Sequence, residues 1–119
     1  MYKFTGLNLS HLIECEVIQI SHAAHNLLIS LDPKNQINIF GGWRLFDESG
    51  AVVDEGYEGD EKADRDAYRV HHLLTHVIEQ YEIVSPSVLA FVFENQWRLE
   101  LIDDSDMHEC CSITPNIRV

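Results

Sequence analysis

Apolar and polar residues alternate along two stretches of the chain, and each stretch predicts a β-hairpin. The first runs from Leu27 to Ile39 around turn-forming residues at 32–35, and the second runs from Leu89 to Leu101 around residues 94–96. A period of two places every second side chain on one face of a strand. Each hairpin is therefore expected to bury one face and expose the other.

A different period between the hairpins predicts a helix. Ala63, Ala67, Val70 and Leu74 recur at spacings of four, three and four, and acids cluster over residues 60–64. Apolar residues at these spacings share one face of a helix, and acids in the first turn interact favourably with the helix dipole.

The two hairpins also align with each other along the sequence. At an offset of 62, the five alternating apolar positions of the first hairpin fall on apolar positions of the second. At an offset of 61, three upstream residues do the same: Leu9, Leu12 and Ile13 fall on Val70, Leu73 and Leu74. Any two amphipathic hairpins align at some offset, but this many matches with a single shift favour an internal duplication.

Each half of the chain then contains a helical segment, a strand, a hairpin and a closing strand. The strands expected before the hairpins cover residues 15–21 and 77–84, and the closing strands cover 43–46 and 108–113. A short strand is also expected at 51–53.

We therefore predict an α+β fold in which duplicated helix-plus-antiparallel-hairpin units form a single domain with mainly antiparallel sheet. The domain covers residues 1–119, which fits the length of one domain. The pseudo-repeats cover about 7–46 and 68–113, and an acidic connection covers about 47–66.

The net charge of −12 is confined to two segments. The segment from Asp47 to Asp66 carries a net charge of −7, the segment from Glu94 to Glu109 carries −5, and the remaining charges balance. Such a field attracts cationic partners and repels nucleic acid and anionic membranes. If the halves are related by twofold symmetry, the two clusters follow equivalent strands and lie near each other.

The sequence also bears on the compartment. No apolar run approaches the roughly 20 residues of a membrane span, and the first residues lack the apolar core of a signal peptide. Of the three cysteines, Cys110 and Cys111 are adjacent and are poor disulfide partners. We expect a cytoplasmic protein with reduced thiols.

The sequence contains only weak evidence for catalytic or metal-binding residues. His72 and His76 have the spacing of two ligands on one helix face, with His71 beside them, but no glutamate directly follows the first histidine. Cys15 lies between two glutamates and begins a predicted strand, which favours a packed thiol over a nucleophile. We expect no enzyme, no catalytic residue, no metal and no cofactor.

The end of the chain resembles a group of small bacterial proteins. The resemblance rests on the strands at 89–93 and 97–101, a few acids, the stretch at 108–113 and a closing 117–119. In that group an aromatic residue usually precedes the glutamate of the last stretch and a serine follows it, whereas His108 and Cys110 stand there in this chain. The resemblance covers the last 50 or so residues, and it extends to the first half of the chain through the internal repeat.

Several members of the group are immunity proteins of contact-dependent growth inhibition systems, which bind and neutralise a toxin domain in the cytosol. The resemblance therefore implies an immunity protein. Many such toxins are basic nucleases, which agrees with the acidic charge. The expected partner-binding residues are the clustered acids and one aromatic anchor: Asp54, Glu55, Tyr57, Glu58, Asp60, Glu61, Asp103, Asp104 and Asp106.

Two alternatives stay open at this point. The first is a non-enzymatic homodimeric structural or assembly protein. The second is a zinc-dependent hydrolase built from His71, His72, His76 and the Cys110–Cys111 pair. Light scattering tests the first alternative, and metal analysis of untagged protein tests the second.

Overall fold

Two five-stranded antiparallel sheets make up the described part of the chain. The computed structural model describes residues 4–22, 26–56, 69–103, 110–115 and 117–118. Its strands are β1 (Glu16–His22), β2 (Leu27–Asp32), β3 (Asn35–Ile39), β4 (Gly42–Phe46), β5 (Val52–Gly56), β6 (Ile78–Ser85), β7 (Val88–Phe93), β8 (Arg98–Ile102), β9 (Cys111–Ile113) and β10 (Ile117–Arg118). Sheet A has the order β1-β2-β3-β9-β10, and sheet B has the order β5-β4-β8-β7-β6. The predicted, mainly antiparallel sheet is confirmed.

The helical part of the prediction is not confirmed. Helical residues in the described part of the chain form only two short 3₁₀ helices, Ser10–Leu12 and Arg69–Leu73. The start of the predicted helix, residues 63–68, lies outside the described residues. Its end is a tight turn because Thr75 has a positive φ of 72° and the chain enters β6 three residues later. The α+β class is therefore replaced, over the described residues, by a β architecture.

Alternate residues of both sheets share one hydrophobic core. Leu27, Ile29 and Leu31 of β2 are buried, as are Phe91 and Phe93 of β7. Each such side chain contributes on the order of 1.5–3 kcal/mol when it is fully buried. The period of two in the sequence thus corresponds to the inward face of each hairpin.

The two halves pair their strands in the same register. Leu27 faces Ile39 in the first hairpin, and Leu89 faces Leu101 in the second, at the offset of 62. Both outer pairs, β1–β2 and β6–β7, also contain a register shift at equivalent places, after Val17 and after Ile78. These two residues are related by the offset of 61.

The closing strand of each half crosses to the other sheet. β4 follows the β2–β3 hairpin of sheet A but pairs with β8 of sheet B, and β9 follows the β7–β8 hairpin of sheet B but pairs with β3 of sheet A. β5 then pairs with β4, and β10 pairs with β9. Each sheet therefore takes three strands from one half and two from the other.

Reciprocal backbone hydrogen bonds join the halves where β1 and β6 begin. Glu16 forms an isolated β-bridge with Val77, the residue that corresponds to Glu16 in the second repeat at the offset of 61. Four bonds surround this bridge in two equivalent pairs: Glu14 N–H to Ile78 O (2.7 Å) and Thr75 N–H to Val17 O (2.8 Å), and Val17 N–H to His76 O (2.9 Å) and Ile78 N–H to Cys15 O (3.0 Å). The halves are thus arranged around an approximate twofold axis at this bridge.

Candidate partner-binding end

Both acidic segments begin at the same end of sheet B. β5 and β8 flank β4 and are both antiparallel to it, so they run in the same direction. Gly56 of β5 and Leu101 of β8 pair with the same residue, Trp43. With neighbouring strands about 4.8 Å apart, the two strand ends are about 10 Å apart. We call this end, where residues 57–68 follow β5 and 104–109 follow β8, the acidic end.

Half of the net charge belongs to these two segments. Residues 57–68 contain five acids and two bases, a net of −3, and residues 104–109 contain three acids and no lysine or arginine, also −3. Six of the predicted binding residues lie in them and so outside the described residues: Tyr57, Glu58, Asp60, Glu61, Asp104 and Asp106. Sheet order, rather than repeat symmetry, places the strand ends before the two segments at one end of sheet B, because the repeat makes β5 equivalent to β10 and β8 equivalent to β3.

Asp54 is buried and bonded to the backbone. The residue as a whole is only 8% exposed to solvent. Oδ1 accepts a hydrogen bond from the N–H of Glu55 (2.9 Å), and Oδ2 accepts one from the N–H of Val70 (3.0 Å). The carboxylate therefore joins β5 to the Arg69–Leu73 helix and closes the base of the 57–68 segment. This does not fit the exposed contact that the sequence predicts for Asp54.

Asp103 is likewise an interior residue, at 7% exposure. Its N–H donates to the carbonyl of Ser87 (2.8 Å), which fixes the chain directly after β8. Asp103 therefore does not fit the predicted surface contact either. Both buried aspartates stand next to the acidic segments and hold the ends of the strands from which those segments start.

Close packing at Gly56 also fixes this end of the sheet. A Cβ built on Gly56 would collide with the indole of Trp43, lying 2.7 Å from Cε2 and nearer still to Nε1. Trp43 is buried, so its ring fills the space that a side chain at position 56 would need. The end of β5 is thus held against the core immediately before residue 57.

Glu55 is the predicted binding residue that the structure describes as exposed. Its carboxylate lies 3.8 Å from Nε of Arg44, which is its cross-strand neighbour. On the same outer face, Arg98 pairs with Glu82 (3.2 Å) and Glu100 (3.0 Å). Exposed pairs of this kind contribute roughly 0–1 kcal/mol. Their main consequence is that arginines partly neutralise the acids on this face.

Other acids of the two sequence clusters lie at the opposite end of sheet B. Glu48 follows β4, and its Oε2 accepts a hydrogen bond from Nε1 of Trp97 (2.6 Å). His72 stacks on the same indole, with ring centroids 5.5 Å apart. Glu94 follows β7 and lies 3.3 Å from Nδ1 of His76. The clusters that look continuous in sequence are therefore divided between two ends of the sheet.

Asp47 organises the turn between β4 and β5 at that opposite end. Its Oδ1 accepts hydrogen bonds from the hydroxyl of Ser49 (2.6 Å), the N–H of Ser49 (2.9 Å) and the N–H of Ala51 (3.2 Å). The hydrogen bond from the Ser49 hydroxyl, aided by those from the backbone, lowers the pKa of Asp47 below its ordinary value. This acid stabilises a turn.

The neighbouring histidines have separate surroundings. His71 stacks on His22 with centroids 6.0 Å apart, and His22 lies 6.2 Å from the ring of Trp43, near the acidic end. His72 and His76 contact Trp97 and Glu94 instead. Among the described residues, no group of three histidine, cysteine, aspartate or glutamate side chains could hold a metal ion. The three cysteines are buried free thiols.

Comparison with family models, curated proteins and solved structures finds no match for this chain. In the described part of the chain, no helix is long and apolar enough to cross a membrane.

Proposed function

We propose that the chain is an immunity protein that binds a cognate bacterial toxin domain, a basic nuclease, in the cytoplasm. The observation that supports this most is the shared direction of β5 and β8, from which both acidic segments start at one end of sheet B. Inhibition of this kind needs a rigid, complementary surface and no catalytic residue in the inhibitor.

Electrostatics favours a basic partner at the acidic end. Segments 57–68 and 104–109 together contribute −6 of the net −12. Opposite potentials steer association and raise its rate, and they repel partners of like charge. A nuclease active site, which must attract phosphate, carries the positive charge that such a surface would cover.

The residues on either side of the longer acidic segment, 57–68, are hydrogen-bonded to each other. The hydrogen bond from Val70 N–H to Asp54 Oδ2 joins β5 to the Arg69–Leu73 helix, the two elements that flank residues 57–68. A segment held at both ends loses less conformational entropy on binding than a free tail does. Within it, Tyr57 is the proposed aromatic anchor, since aromatic residues often carry much of the energy of an interface.

A binding experiment with charge-matched variants tests the proposal. The probe is the protein encoded immediately upstream of this chain's own gene, which the proposal expects to carry the toxin domain. One variant neutralises the first segment (Glu58→Gln, Asp60→Asn, Glu61→Gln), and a second neutralises the other (Asp104→Asn, Asp106→Asn, Glu109→Gln). The control neutralises three acids outside both clusters (Glu14→Gln, Asp32→Asn, Glu79→Gln), so that all three proteins have the same net charge.

We expect the unchanged chain to form a 1:1 complex and to restore growth of cells that express the toxin domain. At least one segment variant should bind at least about tenfold more weakly, with a shallower salt dependence, while the control changes affinity by less than about threefold. Absence of a complex and of growth rescue would reject the immunity function. Equal losses in all three variants would reject the acidic end as the binding site.

A further inference from the structure

Two adjacent thiols lie side by side where β9 begins. Sγ of Cys110 is 3.6 Å from Sγ of Cys111, and both residues are buried. Consecutive side chains of a regular strand point to opposite faces, and Cys110 can lie beside its neighbour because it precedes the strand. We call these two side chains the thiol pair.

The backbone around the thiol pair is held by the chain that follows β3. The carbonyl of Cys110 accepts hydrogen bonds from the N–H groups of Phe40 (2.8 Å) and Gly41 (2.9 Å). Cys111 pairs with Ile39 in the ladder between β3 and β9. A Cβ built on Gly41 would lie 3.2 Å from Cβ of Cys110, so glycine leaves the room that this side chain occupies. These contacts fix the positions from which both sulfurs project.

The fold does not require a thiol in this place. Ile39 and Leu101 correspond to each other at the offset of 62, and they face Cys111 and Trp43 respectively. Cys111 therefore stands in the second half where the first half has a tryptophan. The thiol pair is thus a property of this sequence and not of the architecture.

The separation of the two sulfurs fits a single bridging atom. A disulfide needs about 2.05 Å between its sulfurs, so the thiols would have to move to form one. Two bonds of about 2.3 Å, the length of a thiolate bond to zinc, with an angle of roughly 100–110° between them, separate the sulfurs by about 3.5–3.8 Å. A soft ion with linear bonding, such as copper(I), would need about 4.6 Å at the same bond length. The pair therefore suits an atom with bent bonding.

The number of available ligands narrows the choice further. A structural zinc ion takes four protein ligands, whereas the described residues contain no group of even three histidine, cysteine, aspartate or glutamate side chains that could hold a metal ion. The third thiol, Cys15, has other surroundings, 3.6 Å from Nδ2 of Asn35 and 3.5 Å from the carbonyl oxygen of His11. Trivalent arsenic with one organic substituent is pyramidal and forms only two further bonds. As a soft acceptor, it prefers sulfur for both.

We propose that the thiol pair is a binding site for a trivalent organic arsenical, R–As(OH)₂. Both S–H bonds and both As–OH bonds break, two As–S bonds form, and the thiol protons leave with the hydroxyl groups as two molecules of water. Arsenic stays trivalent and the sulfurs are neither oxidised nor reduced, so the reaction needs no co-reactant. Because Cys110 is 5% exposed and Cys111 is fully buried, the arsenical enters when the chain around Cys110 opens locally.

This inference does not depend on the immunity function, and the whole reduced chain tests it with methylarsonous acid, CH₃As(OH)₂, as the probe. Intact-mass spectrometry counts the methylarsenic groups bound, and competition with a small dithiol measures the Kd. The variants Cys110→Ala and Cys111→Ala each remove one thiol of the pair, and the control, Cys15→Ala, removes a buried thiol elsewhere. A synthetic peptide of residues 107–114 carries both cysteines without the fold. Circular dichroism establishes that each variant is folded.

The unchanged chain and Cys15→Ala should bind one methylarsenic group, which a small dithiol removes and an excess of a monothiol does not. Each variant of the pair should bind at least about a hundredfold more weakly, because the second As–S bond is no longer formed within one site. The peptide should bind at least about tenfold more weakly than the folded chain, since its sulfurs are not held in place. A folded chain that binds no arsenical or binds no more tightly than the peptide would overturn the proposal. So would unchanged affinity in either variant of the pair, or an equal loss in Cys15→Ala.

Discussion

Asp54 illustrates how a single carboxylate can serve the backbone within an acidic sequence. Its two oxygens accept hydrogen bonds from the N–H groups of Glu55 and Val70. An unpaired N–H in the interior costs about 1–3 kcal/mol. By accepting from these two N–H groups, the Asp54 carboxylate stabilises the fold in a way that its exposed neighbours do not. Glu55, one residue later, points to the solvent and contacts Arg44.

This contrast leads to a prediction at the residue scale. Replacing Asp54 by alanine should lower the free energy of unfolding by about 1–3 kcal/mol, because the N–H of Val70 loses its acceptor. Asp54→Asn, which keeps one oxygen acceptor, should lose less. Glu55→Ala should change stability by no more than about 1 kcal/mol. Urea unfolding measures all three, and an equal loss in the Asp54→Ala and Glu55→Ala variants would contradict the assigned role.

Among the strands and turns, the sequence patterns correctly predicted the features that depend on residues close together in the chain. The period of two and the turn residues located both hairpins, since side-chain alternation and turn formation depend on near neighbours. The strand expected at 51–53 extends to Gly56, and the closing stretch at 108–113 contributes Cys111–Ile113 among its described residues. The predicted helix was wrong at its described end. Apolar residues spaced three or four apart also fit a short 3₁₀ helix that leads into a strand, and this is what residues Arg69–Leu73 form.

The candidate site was harder to predict for a physical reason. A register shift between Leu45 and Phe46 exposes Val52 and turns Asp54 inward. Apolar residues normally point inward, so the sequence of this strand suggests the opposite assignment. Sheet order is also set by contacts distant in sequence, and so the common end of β5 and β8 could not be predicted from either segment alone.

The turn between β4 and β5 permits a pH prediction at this scale. Hydrogen bonds from Ser49 and Ala51 lower the folded-state pKa of Asp47. A group whose pKa is lowered on folding contributes stability above its unfolded pKa and loses it as the pH falls through the folded value. A carboxyl NMR titration should therefore give Asp47 a midpoint below that of an unfolded aspartate.

Replacement of the turn serine supplies the control. Ser49→Ala removes the hydroxyl donor, which is the largest cause of the shift, so the Asp47 midpoint should rise towards the ordinary value. Glu48→Gln leaves these donors in place and should move the midpoint less. A midpoint that is the same in the unchanged chain and in Ser49→Ala would show that the turn hydrogen bond does not form in solution.

At the scale of the whole molecule, the exchange of closing strands makes the two halves dependent on each other. β4 completes sheet B and β9 completes sheet A, so each half alone lacks the partners of its closing strand. An unpaired strand leaves backbone N–H and C=O groups without partners and apolar residues without cover. The internal duplication thus stays a prediction about origin, while the interlocked pairing is a property of the fold.

The interlocking predicts that two half-chains complement each other. Residues 1–56 and 57–119, expressed separately, should each show little native β signal in circular dichroism, because neither can build a complete sheet. Mixed together, they should form a 1:1 complex with the spectrum of the intact chain. Leu101→Asp in the second fragment places a charge where Leu101 of β8 faces Trp43 of β4, and should abolish the complex. A first fragment that folds fully alone, or a mixture that stays unfolded, would contradict the mutual dependence of the halves.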